Sequence, residues 1–250
     1  MSIITEIQGD LFDAPEGAAL IHACNCQCSW GKGIAQVFRQ KYPAAYQIFR
    51  AHCQQYLSDP QTQTQTQTIP FSGIDRIRQQ PRALKLPEGT ALIIPPQPAD
   101  YQPQSQSQLG LAGEALQLPT TASRGPGRGR GRGALNSSSR RRPAALLRLA
   151  GRKHWIICLF TSWHYGPRNR SPPDIILENT MLALADLKRQ IAASATGPTA
   201  GEVEQPGELW GCRFNAGLFG VPWERTREVL EEAGLVMTIV RPVGESVGRN

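Results

Sequence analysis

The chain has 250 residues, of which 40% are apolar, and 27 Lys and Arg against 20 Asp and Glu give it a formal net charge of +7. This length and apolar fraction allow one large domain, or two small ones, with a packed core. The opening MSIITEIQGD lacks the features of a secretory signal, and no run reaches the roughly 20 apolar residues that cross a bilayer. We therefore expect an intracellular protein, cytoplasmic or nuclear, whose six cysteines are reduced thiols.

The positive charge comes from one segment. Eight arginines lie between residues 124 and 148, where no acidic residue occurs, and without them 19 basic residues face 20 acidic ones. Segments of Arg and Gly bind polyanions, so a weak, unspecific RNA contact through residues 124–142 is one prediction. A solvated linker without a partner is the alternative.

Two stretches of biased composition are predicted to be insertions in a single domain that spans residues 1–242. Residues 98–151 contain QPQSQSQ, GPGRGRGRG and SSSRRRP, which bury too little apolar surface to fold, so we expect disorder there. Residues 58–82, around QTQTQTQT, form a second, Gln/Thr-rich insertion. Both are expected to be loops outside the fold, and residues 243–250 are expected to form a flexible tail.

The remaining chain alternates between strand and helix patterns. Apolar and β-branched runs predict strands at residues 3–8, 18–24, 90–94, 155–161, 210–214 and 235–240. Helical spacing predicts helices at residues 34–56, with a break at Pro43, 174–192 and 222–233. Such alternation indicates an α/β sandwich with a mixed sheet.

The stretch 21–35, IHACNCQCSWGKGIA, reads as a strand, a tight loop and the start of a helix. Glycines allow the main chain to approach a ligand closely, and the first N–H groups of a helix attract anions. Neither G-x-G-x-x-G nor G-x-x-x-x-G-K-[ST] is present, so this is no ordinary dinucleotide or P-loop motif. The C-x-C-x-C of Cys24, Cys26 and Cys28 lacks the C-x-x-C spacing of zinc sites, so no metal is predicted.

Two further loops are predicted at the carboxyl ends of strands, where α/β sheets bind ligands. One is Gly9-Asp10-Leu11 after the first strand, and the other is NAGLFG at residues 215–220, which precedes a helix. Two glycine-bearing helix starts and an isolated aspartate suit a nucleotide with a diphosphate bridge.

The chain resembles macrodomains in three motifs taken together: Gly9-Asp10-Leu11 after the first strand, Asn25 with the glycine turn that follows it, and NAGLFGVPW at 215–223. The resemblance is closest to the fungal ADP-ribose 1''-phosphate phosphatase branch, in HACNCQCSWGKGIA, CLFTS at 158–162 and FGVPWERTREVLEE at 219–232. The resemblance implies a three-layer α/β/α fold with a largely parallel mixed sheet. It also implies a monomeric phosphatase, without cofactor, that converts ADP-ribose 1''-phosphate, a by-product of tRNA splicing, to ADP-ribose. Binding of ADP-ribose without turnover, or removal of ADP-ribose from acidic side chains, are the alternatives.

The resemblance also implies roles for single residues. Asp10 accepts a hydrogen bond from the adenine amino group, Leu11 and Ile34 line the adenine end, and Asn25 holds the distal ribose. Backbone N–H groups of residues 31–35 and 216–220 wrap the diphosphate. The chain has Lys32 where relatives usually have glycine. The substrate-binding residues implied are Gly9, Asp10, Leu11, Cys24, Asn25, Cys26, Gly31, Lys32, Gly33, Ile34, Ala35, Asn215, Ala216, Gly217, Leu218, Phe219 and Gly220.

His22 and Asn25 are the predicted catalytic residues, because His22 is the one histidine beside these loops in sequence. Each assignment has a structural alternative. Asp10 could be a turn residue or helix cap, His22 a hydrogen-bonded core residue and Phe219 a core residue. Regular alternation also places the side chains of His22 and Asn25 on opposite faces of the strand.

Overall fold

A computed structural model describes residues 3–65, 82–102, 151–196 and 204–242. The strands are β1 (Ile4–Gln8), β2 (Ala19–Asn25), β3 (Thr62–Gln65), β4 (Arg82–Lys85), β5 (Ala91–Ile94), β6 (Trp155–Ser162), β7 (Leu209–Cys212) and β8 (Met237–Arg241). The α-helices are α1 (Gly33–Lys41), α2 (Pro43–Ser58), α3 (Pro98–Tyr101), α4 (Pro173–Thr196) and α5 (Trp223–Ala233), and Leu11–Asp13 form a 3-10 turn. Within the described ranges, no helix combines the length and apolarity needed to cross a membrane.

Six strands form a mixed sheet in the order β1-β8-β7-β2-β6-β5. The first five strands are parallel, and β5 runs antiparallel to β6 at one edge. Every residue of β6 is buried, as expected for a strand that pairs on both sides and is covered on both faces. The prediction of a largely parallel mixed sheet is confirmed.

Helices cover both faces of this sheet. Alternate residues of β6 point to opposite sides: Ile157 and Leu159 pack in the cluster that includes α4 and α5, whereas Ile156 and Phe160 pack in the cluster that includes α1 and α2. The result is the three-layer α/β/α arrangement that the motifs implied. The chain breaks between α1 and α2 at Pro43, which occupies the first turn of α2.

Two of the predicted insertion boundaries are wrong. Thr62–Gln65 lies in the Gln/Thr-rich stretch but forms strand β3, which pairs antiparallel with β4, since alternating threonines place β-branched side chains on one face. Helix α3 lies in the stretch predicted to begin the arginine-rich insertion. Its Asp100 is 4% exposed and its carboxylate accepts hydrogen bonds from the N–H groups of Ala44 and Ala45, so α3 belongs to the fold. Residues 66–81, 103–150 and 243–250 lie outside the described residues, and so do the predictions of disorder and of a flexible tail made for them.

The carboxyl ends of the parallel strands lie at the same end of the sheet, and the three predicted ligand loops begin there. Asp10 follows β1, the loop from Asn25 to Gly33 follows β2, and the loop from Asn215 to Gly220 follows β7. The arginine-rich segment is flanked by residues 102 and 151. Residue 102 follows β5 and residue 151 precedes β6, so both lie toward the opposite end of the sheet, where the parallel strands begin.

Candidate functional site

Asn25 organises the first glycine loop. It ends β2, is 7% exposed, and its Oδ1 accepts hydrogen bonds from the N–H groups of Gln27 at 3.0 Å and Ser29 at 3.4 Å. Its Nδ2 donates to the carbonyl oxygen of Ser29 at 2.7 Å. The side chain therefore fixes the path of the loop.

The first loop leads into the start of α1 with its backbone available to a ligand. Lys32 is exposed, extended in backbone conformation, and makes no side-chain hydrogen bond to the first turn. Gly33 follows with φ of +60°, a conformation that disfavours a side chain. Because the first N–H groups of a helix have no partner within the helix, this turn is suited to bind an anion.

Asn215 organises the second glycine loop. It has φ of +66° and is 3% exposed, and its amide accepts from the hydroxyl of Thr161 at 3.0 Å and donates to that of Thr180 at 2.9 Å. The N–H groups of Val221 and Gly220 donate within the loop, to the carbonyl oxygens of Asn215 and Gly217, both at 3.0 Å. Since Gly220 uses its N–H in this way, the predicted contacts with a diphosphate fall to the residues before it.

The fold brings the two glycine loops into contact. A Cβ placed on Gly33 would lie 3.7 Å from Cδ1 of Leu218, and the Leu218 side chain is 52% exposed. Ile34, the next residue of the first loop, is 36% exposed. The two glycine turns are therefore side by side, with exposed apolar side chains beside them, an arrangement that suits a nucleotide.

Asp10 lies beyond β1 in the same row of loops. Its exposed side chain accepts a hydrogen bond from the N–H of Phe12 at 3.0 Å, so it caps the 3-10 turn as the structural alternative predicted. Only Oδ1 makes this bond, which leaves Oδ2 to accept one from a ligand. Leu11, also predicted at the adenine end, is 3% exposed and packs in the core, and its role in lining the site stays a prediction.

The His22 side chain lies inside the fold, with no exposed surface. Its ring stacks on Phe38, with centroids 4.2 Å apart, and Cys24 Sγ lies 3.6 Å from both ring nitrogens. His22, Cys24 and Cys158 are all buried, and a ring nitrogen and the two sulfur atoms lie within 4.8 Å of one another. The ring also packs edge-on against buried Trp30 of the first loop, with centroids 4.9 Å apart. This packing favours the structural alternative for His22, and a part in proton transfer stays a prediction.

Two other residues predicted to bind substrate have buried side chains. Cys26 is fully buried, and burial raises the pKa of its thiol well above the usual range, so the thiol stays neutral. Phe219 is 8% exposed and packs in the cluster formed with α4 and α5, which agrees with the core alternative. For both residues, a part in substrate binding stays a prediction, and their buried side chains leave it to their backbone.

A partly buried polar network that the sequence did not predict lies at the same end of the sheet. Glu88 Oε1, just before β5, accepts hydrogen bonds from Ser171 Oγ at 3.2 Å and Asn179 Nδ2 at 2.9 Å. The same Asn179 nitrogen donates to the carbonyl oxygen of Thr161 at 3.0 Å. Asn179 lies three residues after Ile176, on the apolar face of α4. A polar residue on an apolar helix face is the sequence feature that could have predicted a buried hydrogen-bonded side chain here.

Comparison with known proteins identifies close relatives along the whole chain. No protein-family model matches. An ADP-ribose 1''-phosphate phosphatase of Ajellomyces capsulatus is 68% identical over 262 residues, covering 98% of each chain. A protein of the same name from Aspergillus fumigatus is 48% identical over 243 residues, covering 97% of this chain and 96% of the relative. The solved macrodomain of Mycobacterium tuberculosis DarG has a TM-score of 0.48 at 17% identity, covering 96% of this chain and 97% of its own.

The structure has the three layers, the mixed six-stranded sheet and the two adjacent glycine turns that the resemblance to macrodomains implied. The sequence identity of 68% over almost the full length of both chains identifies the family to which the chain belongs. The chain belongs to the ADP-ribose 1''-phosphate phosphatase family.

Proposed function

We propose that the protein removes the terminal phosphate of ADP-ribose 1''-phosphate to give ADP-ribose. The observation that carries the proposal is the contact between two glycine turns at the edge where Asp10 and Asn25 also lie, in a chain 68% identical to a protein of that name. In the reaction, a water oxygen bonds to phosphorus as the bond from phosphorus to the ribose oxygen breaks, and the ribose oxygen takes up a proton.

The proposed binding mode follows the row of loops. The adenine lies beside Asp10, whose carboxylate has one oxygen not used in capping, and the diphosphate lies across the starts of the two glycine turns. The distal ribose then lies toward the first loop, which Asn25 holds in place. The exposed side chain of Lys32 places a positive charge at the rim of this loop.

The experiment is phosphate release from ADP-ribose 1''-phosphate, measured in the presence of a chelator and in parallel with a mono-ADP-ribosylated protein substrate. Release from the small molecule alone is the expected result. Tight binding of ADP-ribose without turnover of either substrate would indicate a binding module, and turnover of the protein substrate alone would indicate a de-ADP-ribosylating hydrolase.

We further propose a weak, unspecific RNA contact through residues 124–142. The support is the charge pattern, since these residues carry seven arginines and no acid. We also propose that the protein is a monomer, which light scattering at micromolar concentration tests. An intracellular location stays a prediction that a fluorescent fusion tests.

A further inference from the structure

Arg170 is a cation next to the ligand loops that the motifs do not include. It lies in the loop between β6 and α4, where the N–H of Arg170 donates to the carbonyl oxygen of Gly166 at 3.0 Å. The next residue, Ser171, donates its N–H to Ser162 Oγ at 3.0 Å, and Ser171 Oγ lies 3.3 Å from the N–H of Trp163. Both ends of the loop are therefore tied together, and the backbone that carries Arg170 is fixed.

The side chain of Arg170 crosses to the second glycine loop. Its Nη1 donates to the carbonyl oxygen of Leu218 at 2.7 Å. A Cβ placed on Gly220 would lie 2.5 Å from both terminal guanidinium nitrogens, so the guanidinium lies directly against the Cα of this glycine. Gly220 also has φ of +64°, and both observations require glycine at this position.

The guanidinium has unused capacity to bind an anion. Among the described residues, Arg170 forms no ion pair with a carboxylate. Only one of its five N–H donors bonds to Leu218, and the side chain is partly exposed. Leu218 in turn contacts Gly33, so the guanidinium lies near both anion-binding turns.

The order of the strands indicates which part of a ligand Arg170 meets. Asp10 follows β1, and the loop that carries Arg170 follows β6, four strands further along the sheet. Neighbouring strands lie about 4.8 Å apart, so the two loops begin about 19 Å from each other. A nucleotide whose adenine lies at Asp10 therefore presents its other end, the distal ribose, to the loop of Arg170.

We propose that Arg170 binds the terminal phosphate of the substrate and so distinguishes ADP-ribose 1''-phosphate from ADP-ribose. The inference rests on the proposed function. A phosphate monoester carries between one and two negative charges at neutral pH, and the planar fork of a guanidinium pairs with two of its oxygens. The product lacks this group, so its release is not opposed by Arg170.

The test compares two ligands in four proteins: wild type, R170Q, R170K and R168Q. Arg168 is exposed in the same loop and forms no ion pair among the described residues, so R168Q removes the same charge without the contact. We expect R170Q to lower kcat/KM for ADP-ribose 1''-phosphate about ten- to hundredfold, with the calorimetric Kd of ADP-ribose changed less than about threefold. R170K, which keeps the charge but not the fork, is expected to lie between R170Q and wild type.

An equal loss for both ligands in R170Q, or a loss in R168Q as large as in R170Q, would overturn the proposal. If R170Q no longer unfolds cooperatively, R170K decides: a lower kcat/KM with unchanged Kd supports the proposal, and unchanged values of both overturn it. Failure of the proposed function is separate, because it shows as no phosphate release by the wild-type protein.

Discussion

The N–H of Gly151 donates a hydrogen bond to the carbonyl oxygen of Asp100 at 3.1 Å, so the two sides of the arginine-rich segment are held together. Asp100 is itself fixed by its carboxylate at the start of α2. Gly151 lies against the ring of Tyr42, where a Cβ would be 2.3 Å from Cε1. The described residues that flank the segment therefore lie close together, at the end of the sheet opposite to the ligand loops.

This geometry predicts that residues 103–149 can be replaced by a short Gly/Ser linker. We expect the shortened protein to unfold cooperatively near the wild-type temperature and to bind ADP-ribose with unchanged affinity, by calorimetry. RNA binding in a filter assay at low salt should be lost with the arginines. Retained RNA binding would place the nucleic-acid surface on the rest of the chain, and loss of ADP-ribose binding in a folded protein would assign the segment to the site.

Asp10 should contribute to ligand affinity apart from its role as a cap. Asp10→Ser keeps a side-chain oxygen for the N–H of Phe12 but removes the carboxylate, whereas Asp10→Ala removes both. A hydrogen bond to a charged acceptor contributes about 1.5–3 kcal/mol, so both variants should bind ADP-ribose at least about tenfold more weakly. Only Asp10→Ala should also lose about 1 kcal/mol of unfolding free energy.

Asp13 provides the matched control for this measurement. It is an exposed carboxylate in the same turn, and it forms an ion pair with Arg152 at 3.0 Å. We expect Asp13→Ala to bind ADP-ribose as the wild type does. Equal affinity of wild type and Asp10→Ser would exclude Asp10 from the adenine site.

Much of this architecture follows from local sequence, because buried strands and glycine turns have short-range patterns. Residues 3–8 and 155–161 were predicted as strands from their apolar content, and the structure has β1 and β6 there. Contacts across long separations have no such pattern. Arg170 donates a hydrogen bond to the carbonyl oxygen of Leu218, 48 residues away in sequence. The carboxylate of Asp100 accepts one from the N–H of Ala44, 56 residues away. The Gln/Thr-rich composition predicted a loop at Thr62–Gln65, where the structure has a strand. Its partner strand is Arg82–Lys85, which is too distant in sequence for a local pattern to show the pairing.

Asn215 should stabilise the second loop in two separable ways. Asn215→Gly suits the φ of +66° but leaves the hydroxyls of Thr161 and Thr180 without the amide partner, which costs about 1–3 kcal/mol. Asn215→Ala loses the same bonds and adds strain of about 1–2 kcal/mol from the left-handed backbone. Urea unfolding should therefore rank wild type above Asn215→Gly and Asn215→Ala last. Equal stability of the two variants would show that the backbone relaxes.

The stability of the folded protein should fall as the pH drops below about 6.5. His154 is 1% exposed. Its Nε2 lies 2.9 Å from the carbonyl oxygen of Ala14, and its Nδ1 lies 2.7 Å from the hydroxyl oxygen of Tyr42. Burial lowers the pKa of His154 below its usual range, so the unfolded chain, with a pKa near 6.5, binds a proton more readily. The folded state is therefore favoured above this pH and loses stability as the pH falls through it.

Unfolding free energies at pH 5.5 and 7.5 test this dependence. One proton gives a slope of at most about 1.4 kcal/mol per pH unit. His154→Gln keeps a donor for Ala14 and an acceptor for Tyr42 but does not titrate, so its slope should be smaller. Burial also lowers the pKa of His52, and His52→Gln should remove part of the remaining slope. An unchanged slope in both variants would assign the acid sensitivity to other groups.

His22 offers the sharpest separation of a structural role from a catalytic one. Its ring is fully buried against Phe38 and Cys24, so His22→Phe preserves an aromatic ring of similar shape and removes both nitrogens. We expect His22→Phe to keep kcat/KM for ADP-ribose 1''-phosphate within about threefold and to lose less than about 1.5 kcal/mol of stability. His22→Ala leaves a cavity beneath α1 and should lose about 2–4 kcal/mol. If His22→Phe unfolds like the wild type but turns over about a hundredfold more slowly, the imidazole takes part in the reaction, and the first loop must then move to admit the substrate to it.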